Sequence, residues 1–478
     1  MKIAGKMYAL LLVHFFWVTA VQAQNRLLSG VVSNQDTRKP IPNVAVTDGF
    51  SVVRTDAKGA YSFYSHPDAE FVYLSLPGGY KIPTEGFLPK FYQRLKKGQN
   101  KYNFALSKEK TDDAHHILIV GADPQPANKE AAQKWSNFAK EYFKPVVEKY
   151  GSLPKLGILC GDIVGDDLSL FANHKKAVET MGFPTFQVIG NHDENYEARS
   201  DEGSQKAFRD NFGPEYYSFN KGKIHYVVLD DVFYMGKDSR YFGYVTERQM
   251  KWLENDLKFV PQGTTVIVSV HISFEYDRQK PAGSEAVSLP DDSPVVNVAH
   301  LYSILAPYKV HIMSGHTHWN QSFESNNVFH HIHGAICGAW WGGETSFDGA
   351  PLGYAVYEIK NDSISWYFQS AGKDRNHQMQ LTYVDSIGSV VANVWNWDAK
   401  WKVELIADGK EMGEMTRYIG YSPVMADYYN SLPPGSPWMK PVLTAHLFKM
   451  SIDKNVKRVS VRVTDRFGRV YNESISIK

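Results

Sequence analysis

Residues 185–193 read Thr-Phe-Gln-Val-Ile-Gly-Asn-His-Asp, an apolar run that leads directly into a polar turn. A short, continuously apolar run bounded by glycine is typical of a strand that is buried on both faces. Residues 116–120 and 156–160 have the same character, and each is followed by a segment of helical periodicity, over residues 128–150 and 168–181. This alternation predicts a sheet covered by helices, in an α/β fold.

The alternation continues along the chain and defines the extent of a central domain. It predicts helices over residues 246–259 and 296–306 and strands over residues 265–270, 310–313, 328–332 and 354–359. Because the later strands extend a second sheet, the fold predicted for residues 112–372 is a four-layer α/β/β/α sandwich.

Five of the predicted strands end in polar residues that can bind metal ions. These residues are Asp123 and Gln125, Asp162, Asn191 with His192 and Asp193, His271, and His316 with His318. In open α/β sheets the ligand crevice lies at the carboxyl ends of the strands, so the five segments are expected to meet at one edge. Carboxylate, amide and imidazole groups suit divalent Mn, Fe, Zn or Co. Each piece alone is a weak signal, but the ordered set predicts a metal site.

In this order the motifs resemble the signature of the calcineurin-like metallophosphoesterase superfamily. The matching segments are Asp123-x-Gln125, Gly161-Asp162, Gly190-Asn191-His192-Asp193, His271 and Gly315-His316-Thr317-His318. The resemblance covers the central domain, and the β-patterned segments on both sides look like those of a secreted bacterial subgroup. It implies a metal-dependent phosphoric ester hydrolase with two divalent metal ions, whether Mn, Fe, Zn or Co.

The resemblance also implies which side chains hold the two ions. Asp123, Gln125, Asp162 and His318 would hold one. Asp162, Asn191, His271 and His316 would hold the other, with Asp162 bridging both. Gln125 departs from the family pattern, which has histidine at this position. Because an amide oxygen is a weaker donor than imidazole, the first metal position is expected to have a lower affinity or a different metal preference.

The chemistry implied is hydrolysis of a phosphate monoester or diester by attack of a hydroxide that bridges the two metal ions. The leaving oxygen needs a proton or a positive neighbour, and His192, next to Asn191, is the residue expected to assist it. Asp193 could orient the His192 imidazole, or could be a turn carboxylate. Asp166 and Asp167 could support the site, or form a solvated loop pair. The metal core serves monoesters and diesters alike, so that choice stays open.

Trp340 and Trp341 stand in a glycine-rich loop that follows a predicted strand. Two adjacent indoles could stack on a sugar ring or a nucleobase beside the metals, or could close a core. Trp340 and Trp341 are therefore the candidate substrate-binding residues.

The two flanking segments are β-patterned. Residues 24–111 contain short strands separated by turns and resemble the carboxypeptidase-regulatory-like β-sandwich of exported bacterial enzymes. Residues 373–478 include clean alternation at 401–405 and 460–464 and predict a C-terminal β-rich domain. Both are expected to stabilise or position the central domain, and the alternative is that they bind a glycan or a partner.

Residues 1–23 have the pattern of a cleavable signal peptide. Lys2 and Lys6 precede an apolar stretch over residues 7–21, and Val21-Gln22-Ala23 offers small residues for cleavage after Ala23. The apolar stretch is shorter than the ~20 residues that a spanning helix needs. We expect a periplasmic or secreted mature protein, with no lipid-anchoring cysteine and no membrane span.

The composition narrows the possible partners. The 478 residues include 52 Lys and Arg against 51 Asp and Glu, a formal charge of +1, so no nucleic-acid polymer is expected as a partner. The two cysteines are too few for a disulfide scaffold or a thiolate metal site. A small phosphate ester is the expected substrate, and the oligomeric state stays open. The alternative function is a catalytically weak metal-binding protein whose β-domains bind a glycan or a partner.

Overall fold

The structure is a computed structural model that describes residues 26–277, 294–433 and 440–477. Its N-terminal region consists of short strands. The strands are Arg26–Asn34 (β1), Ala45–Thr47 (β2), Val52–Arg54 (β3), Ala60–Ser65 (β4), Phe71–Ser75 (β5), Thr84–Glu85 (β6), Leu88–Pro89 (β7), Tyr92–Arg94 (β8) and Phe104–Leu106 (β9). They pair in the orders β4-β1-β9 and β3-β2-β5-β8, with β6 and β7 as a separate pair. Buried and exposed residues alternate along β4, as expected of a strand with one face on a core.

The central region alternates strands and helices. Its strands are His115–Gly121 (β10), Lys155–Cys160 (β11), Thr185–Val188 (β12), Tyr217–Lys221 (β13), Ile224–Val228 (β14), Val232–Tyr234 (β15), Tyr241–Gly243 (β16), Thr265–Ser269 (β17), Lys309–Ser314 (β18), Gln321–Ser325 (β19), Val328–Ile332 (β20), Gly353–Lys360 (β21) and Ser363–Ser370 (β22). Its helices are Lys129–Tyr142 (α1), Lys144–Lys149 (α2), Phe171–Met181 (α3), Asp201–Ser204 (α4), Lys206–Phe212 (α5), Glu247–Leu257 (α6) and Val298–Leu305 (α7).

Two mixed sheets lie at the centre of this region. One has the strand order β12-β11-β10-β21-β22, in which β10, β11 and β12 run parallel. The other has the order β13-β14-β17-β18-β20-β19, in which β14, β17, β18 and β20 run parallel. The parallel strands are buried along most of their length, because both of their faces are covered.

The side chains of β10 show how the layers are arranged. Leu118 and Val120 point into the core that the first sheet shares with the second, whereas Ile117 and Ile119 point into the core beneath α1 and α3. The consecutive β17 residues Val266, Ile267 and Val268 point to opposite faces of the second sheet and all lie in the cluster that contains Leu118. Trp252 of α6 belongs to the same cluster, so both faces of the second sheet are covered. The four-layer α/β/β/α fold predicted from the sequence is therefore confirmed.

The helix predicted over residues 128–150 is divided in the structure. It ends at Tyr142, and a new helix begins at Lys144, with Pro145 in its first turn. Proline has no backbone N–H to donate and its ring clashes with the carbonyl one turn earlier, so a continuous helix cannot pass through it. The prediction of one helix was wrong for this reason.

The C-terminal region is a β-sandwich. Its elements are Met379–Val384 (β23), Ser389–Val394 (β24), Lys402–Ala407 (β25), Lys410–Glu414 (β26), Thr416–Gly420 (β27), Pro423–Ser431 (α8), Thr444–Ser451 (β28), Arg458–Thr464 (β29) and Val470–Ser476 (β30). The two sheets have the orders β23-β24-β28-β27 and β26-β25-β29-β30. Trp401, Leu405, Phe448 and Val461 lie in the core between them.

Both flanking regions contact the central sheets directly. The Tyr73 hydroxyl donates to the carbonyl of Tyr216 at 3.1 Å, and Arg466 lies over the ring of Phe329, 4.5 Å from its centre. The division of the chain at residues 111 and 372 stays a prediction. No helix in the described parts of the chain is long and apolar enough to cross a membrane, and the predicted signal peptide lies outside the described residues.

Candidate metal centre

The carboxyl ends of five central strands meet at one place. Asp123 follows β10, Asp162 follows β11, Asn191 follows β12, His271 follows β17, and both His316 and His318 follow β18. Most of these side chains are buried, with Asp123, Asp162 and His271 at 0%, 1% and 0% exposure. The structure therefore brings together the segments that the sequence placed at one edge of the sheets.

His271 lies in the middle of one half of this cluster. Its Nε2 is 3.3 Å from Asp162 Oδ1, 3.0 Å from Asn191 Oδ1 and 3.1 Å from His316 Nδ1. Asp162, His271 and His316 each offer one ligand atom, and these atoms all lie within 4.8 Å of one another. Several donor atoms facing one small volume fit the coordination of a single cation.

Asp123 organises the other half of the cluster. Its carboxylate accepts the backbone N–H of His316 at 3.0 and 3.2 Å, and its Oδ1 is 3.7 Å from His318 Nε2. The ring of His318 is held on the side away from Asp123, because its Nδ1 lies 3.3 Å from the carbonyl oxygen of Gly338. A ring whose other nitrogen is held by a carbonyl is the usual arrangement of a metal-binding histidine.

Gln125 is oriented differently from a metal ligand. Its Nε2 donates to Asp162 Oδ2 at 3.1 Å, while its Oε1 lies 3.9 Å from the sulfur of Cys337. In this orientation the amide supports the Asp162 carboxylate, and only rotation of the amide by half a turn would present its oxygen to a cation. The ligand role of Gln125 stays a prediction.

The backbone at the cluster is strained. Five of the seven predicted ligands have positive φ, namely Asp123 (49°), Gln125 (38°), Asp162 (49°), His316 (71°) and His318 (59°). Non-glycine residues rarely adopt this conformation, and it persists only where the surroundings enforce it, typically at functional sites. Here the strand ends brace one another, since the N–H of Asp123 donates to Gly161 O at 3.2 Å and that of Gln125 to Asp162 O at 3.0 Å.

Glycine is required where these segments approach most closely. A Cβ on Gly190 would lie 2.1 Å from the backbone nitrogen of Asp162, and one on Gly161 would lie 2.3 Å from Nδ1 of His271. The glycines of the sequence motifs therefore permit close backbone packing beneath the cluster.

Without a cation, the charges of the cluster are balanced by protons. Burial raises the pKa of Asp123 well above its ordinary value. Burial would also raise the pKa of Asp162, but the imidazoles of His271 and His192 lower it below its ordinary value. Burial would lower the pKa of His271, but Asp162 outweighs that effect and raises it to about 10. A proton on His271 thus takes the place of the positive charge that a divalent ion would bring, and the donor set fits such an ion.

His192 stands at the edge of the cluster, and its side chain is 25% exposed. Its backbone N–H donates to Asp162 Oδ1 at 2.9 Å, and its Nδ1 is 2.6 Å from Asp166 Oδ1. Burial would lower the pKa of His192, but the Asp162 charge and the bond with Asp166 raise it to about 9. Within the described part of the chain its Nε2 has no hydrogen-bond partner, so that nitrogen is available to a substrate.

Of the two roles that the sequence left open for Asp193, its contacts favour that of a turn carboxylate. The Asp193 carboxylate is fully buried and accepts the backbone N–H groups of Ile163, Val164 and Gly190 at 3.1, 3.0 and 2.8 Å. It closes the turn beneath the cluster, and Asp166 contacts the imidazole instead. The signal for Asp166 was its place in the polar loop that follows β11.

The two tryptophans have separate environments. Trp341 is buried against Phe138 and its indole N–H donates to the carbonyl of Pro124 at 2.7 Å. Of the two roles that the sequence left open, these contacts favour the closing of a core. Trp340 is half-buried, and its ring centre lies 5.8 Å from that of His192 and 5.3 Å from that of His318. Its role in substrate binding stays a prediction.

Two further residues, Asp231 and Phe347, support the histidines of the cluster, and neither was predicted to have a role there. Asp231 Oδ1 accepts the N–H groups of His271 and Ile272, both at 3.1 Å, and so fixes the turn that carries His271. Phe347 stacks on His318, with ring centres 5.5 Å apart and planes 11° apart. Asp231 carried a signal, because it ends an apolar strand, whereas Phe347 lies in a loop without one.

Comparison with known proteins places two parts of the chain in a family. Residues 28–109 match the family model described as the N terminal of calcineurin-like phosphoesterase. Residues 330–471 match the model described as the C terminal of calcineurin-like phosphoesterase. The comparison with curated proteins found no match.

Solved structures show more distant similarity. GAP50, the anchor in the inner membrane complex of Plasmodium, is 16% identical, with 54% of this chain and 85% of that chain covered and a TM-score of 0.38. Purple acid phosphatase PPD1 from yellow lupin seeds is 13% identical, with 70% and 59% covered and a TM-score of 0.36. A putative 5′-nucleotidase from Staphylococcus aureus is 14% identical, with 54% and 55% covered and a TM-score of 0.33. The chain thus spans less than two thirds of the last two proteins.

Exchanging each of two carboxylates for an amide separates their roles. Asp193→Asn is expected to lower the free energy of unfolding by about 1–3 kcal/mol, because buried N–H groups lose their acceptor. Asp166→Asn is expected to change it by less than about 0.5 kcal/mol, because the side chain is exposed and asparagine tolerates positive φ. Denaturant unfolding of the two variants measures this difference. Equal effects of the two changes would contradict the assignment.

Proposed function

Because the chain belongs to the calcineurin-like phosphoesterase superfamily, we propose that it is an exported, metal-dependent hydrolase of small phosphate esters. The observation that carries this proposal is the convergence of carboxylate, amide and imidazole groups at one end of the two sheets. Asp162, His271 and His316 are the centre of that convergence. The strained backbone at Asp123 and Asp162 supports it, since strain of this kind is retained where function requires it.

The proposed centre holds two divalent ions. Asp123, Gln125, Asp162 and His318 would hold one, and Asp162, Asn191, His271 and His316 the other. Bound divalent ions neutralise the charge of phosphoryl oxygens and lower the pKa of water. The close contact of Asp162 with both Gln125 and His271 supports its assignment as the group shared by the two positions.

The protein's own contribution is to orient these groups and to move a proton. His271 is held from behind, because its Nδ1 lies 2.9 Å from the carbonyl oxygen of Cys160, which leaves Nε2 facing the cluster. His192 donates a proton from Nε2 to the leaving oxygen of the ester. The hydrogen bond between Asp166 and Nδ1 of His192 holds the imidazole in place and keeps it protonated, so that Nε2 can donate.

The overall charge supports a small substrate. A formal charge of +1 provides no electrostatic attraction for a nucleic-acid polymer, so the substrate is assigned to small monoesters or diesters. The position of Trp340 beside His192 and His318 supports the proposal that its ring contacts the organic group of the ester.

The test is hydrolysis of bis-p-nitrophenyl phosphate and p-nitrophenyl phosphate by the mature protein, with Mn²⁺ or with chelator. Turnover is expected with Mn²⁺ and not with chelator. His192→Ala is expected to lower kcat by roughly 10²–10⁴-fold, the usual contribution of a general acid. Asp162→Ala is expected to abolish both turnover and metal binding.

Matched controls are available on the surface. His300→Ala and Asp362→Ala remove the same groups from side chains that are 56% and 62% exposed, and both variants are expected to behave as the unaltered protein. A protein that binds no Mn²⁺ and hydrolyses neither ester when Mn²⁺ is supplied would overturn the proposal. Bound metal without turnover on any phosphate ester would favour the alternative, a metal-binding protein whose β-domains bind a glycan or a partner.

Gln125 provides a second test, on metal affinity. Gln125→His replaces the amide by imidazole, a better donor for transition metals, and is expected to tighten Mn²⁺ or Zn²⁺ binding. Gln125→Ala removes the amide that supports Asp162 and is expected to weaken binding by about tenfold. Titration calorimetry on metal-free protein measures both. Unchanged affinity in both variants would show that Gln125 does not contribute to metal binding.

Export is tested by the N-terminus of the protein recovered from cells. Cleavage after Ala23 predicts that the mature chain begins at Gln24 and is recovered from the periplasm or the medium. Mass spectrometry of the intact protein measures this, and a variant without residues 2–23 is the control and is expected to stay in the cytoplasm. A full-length chain in the membrane fraction would contradict the prediction.

A further inference from the structure

We propose that the C-terminal sandwich is a positioning part of the candidate metal centre, acting through the contact of His446 with Asp348. This inference rests on the proposed function, because it concerns the same centre. It assigns a role to a domain that contributes no predicted ligand.

The connection runs through the β20–β21 loop, residues 333–352. Three groups of this loop lie against the metal centre: the carbonyl of Gly338 at Nδ1 of His318, the ring of Phe347 stacked on His318, and the ring of Trp340 beside His192 and His318. The position of the loop therefore determines how the His318 imidazole is held.

The loop has little regular structure of its own and is held by the C-terminal region at several points. The backbone N–H of Val442 donates to the carbonyl of Phe347 at 3.1 Å, and the hydroxyl of Tyr428 donates to the carbonyl of Gly342. Gly349 lies so close to this region that a Cβ there would be 2.0 Å from Oγ of Ser422. These contacts place the C-terminal region directly on the loop.

The buried contact of His446 with Asp348 is at the centre of this interface. The two residues are 5% and 0% exposed, and His446 Nε2 lies 3.2 Å from Asp348 Oδ2. Nδ1 of His446 lies 2.7 Å from Asn393 Oδ1, and the Asn393 Nδ2 donates to the Asp348 carbonyl at 2.9 Å. Because that bond fixes the Asn393 amide with its oxygen towards His446, Nδ1 must carry a hydrogen. Nε2 faces the Asp348 carboxylate on the other side of the ring.

Asp348 connects His446 to the segment that carries His318. Its Oδ2 accepts the backbone N–H of Asn320 at 2.7 Å, and Asn320 is two residues beyond His318. The Asn320 Oδ1 accepts the N–H of Gly334, at the start of the loop, at 3.1 Å. One carboxylate thus joins the C-terminal sandwich, the β20–β21 loop and the strained turn of His318, whose φ is 59°.

The loss of His446 therefore has a defined consequence. Asp348 would keep its bonds from Asn320 and Ala350 but lose its partner in the C-terminal sandwich. A buried carboxylate that loses a partner is relieved by movement, protonation or water entry. Each of these loosens the loop, and with it the Gly338 carbonyl and the Phe347 ring that hold His318. Metal affinity depends on such supporting contacts nearly as much as on the ligands.

The experiment compares His446→Phe with His446→Gln in the full chain. Phenylalanine keeps the ring volume but has no donor, whereas the Gln amide can still donate to Asp348. His446→Phe is expected to raise the Kd for Mn²⁺ by about tenfold and to raise KM more than it lowers kcat. His446→Gln is expected to stay within about threefold of the unaltered protein. Calorimetric titration, steady-state kinetics and thermal unfolding provide the readouts.

Two further variants keep the proposal falsifiable. Arg462→Ala breaks an ion pair with Glu404 inside the same sandwich, away from the loop, and is expected to leave Mn²⁺ binding unchanged. Tyr428→Phe removes a loop contact at a half-buried site and is expected to weaken Mn²⁺ binding even if His446→Phe does not fold.

The outcomes separate this proposal from the proposed function. Normal Mn²⁺ affinity in folded His446→Phe, or in Tyr428→Phe if the former does not fold, overturns the positioning role. Equal loss in the Phe and Gln variants also overturns it. If the unaltered protein binds Mn²⁺ without turnover, the proposed function fails and the Mn²⁺ affinities still decide the positioning role. If it binds no Mn²⁺, both fail.

Discussion

The buried carboxylate of Asp162 is the constraint on which the rest of the centre depends. A carboxylate taken out of water is stable only if hydrogen bonds and opposite charges replace its hydration. Asp162 receives the N–H of His192 and the amide of Gln125, and it faces the imidazole of His271. Without a cation, a proton on His271 supplies the positive charge that compensates Asp162. A site built in this way is stabilised by the ion that it binds.

The same constraint explains why the strained backbone is tolerated. Positive φ at Asp123 and Asp162 turns both carboxylates inwards from the ends of β10 and β11. The two turns hydrogen-bond to each other, and the N–H of Cys337 adds a bond to the carbonyl of Asp123 at 3.2 Å. Parallel strands that are buried on both faces provide the rigid frame that such turns need. The stability of the sheets thus supports the geometry of the centre.

The sequence predicts what is local. The central strands were predicted because their apolar runs are continuous, and the site segments because each begins where a strand ends. The roles of Asp193 and Asp166 stayed open, because adjacency to His192 in the chain does not tell which way a carboxylate points. The role of Trp341 stayed open for the same reason, since a glycine-rich loop does not reveal that the indole N–H donates to the carbonyl of Pro124. Side-chain direction in a turn is decided by packing from other elements.

The contribution of the C-terminal sandwich is the least local feature of the molecule. His446 and Asp348 are separated by 98 residues, and neither stands in a motif that points to the other. Their contact nevertheless reaches His318 by two routes, through the backbone of Asn320 and through the ring of Phe347. The strand ends support the metal centre rigidly on one side. Its other side is covered by the irregular β20–β21 loop, which no sheet supports. In this protein the C-terminal sandwich supports that loop. Its buried contact with Asp348 holds the irregular loop in place, as the sheet holds the strand ends.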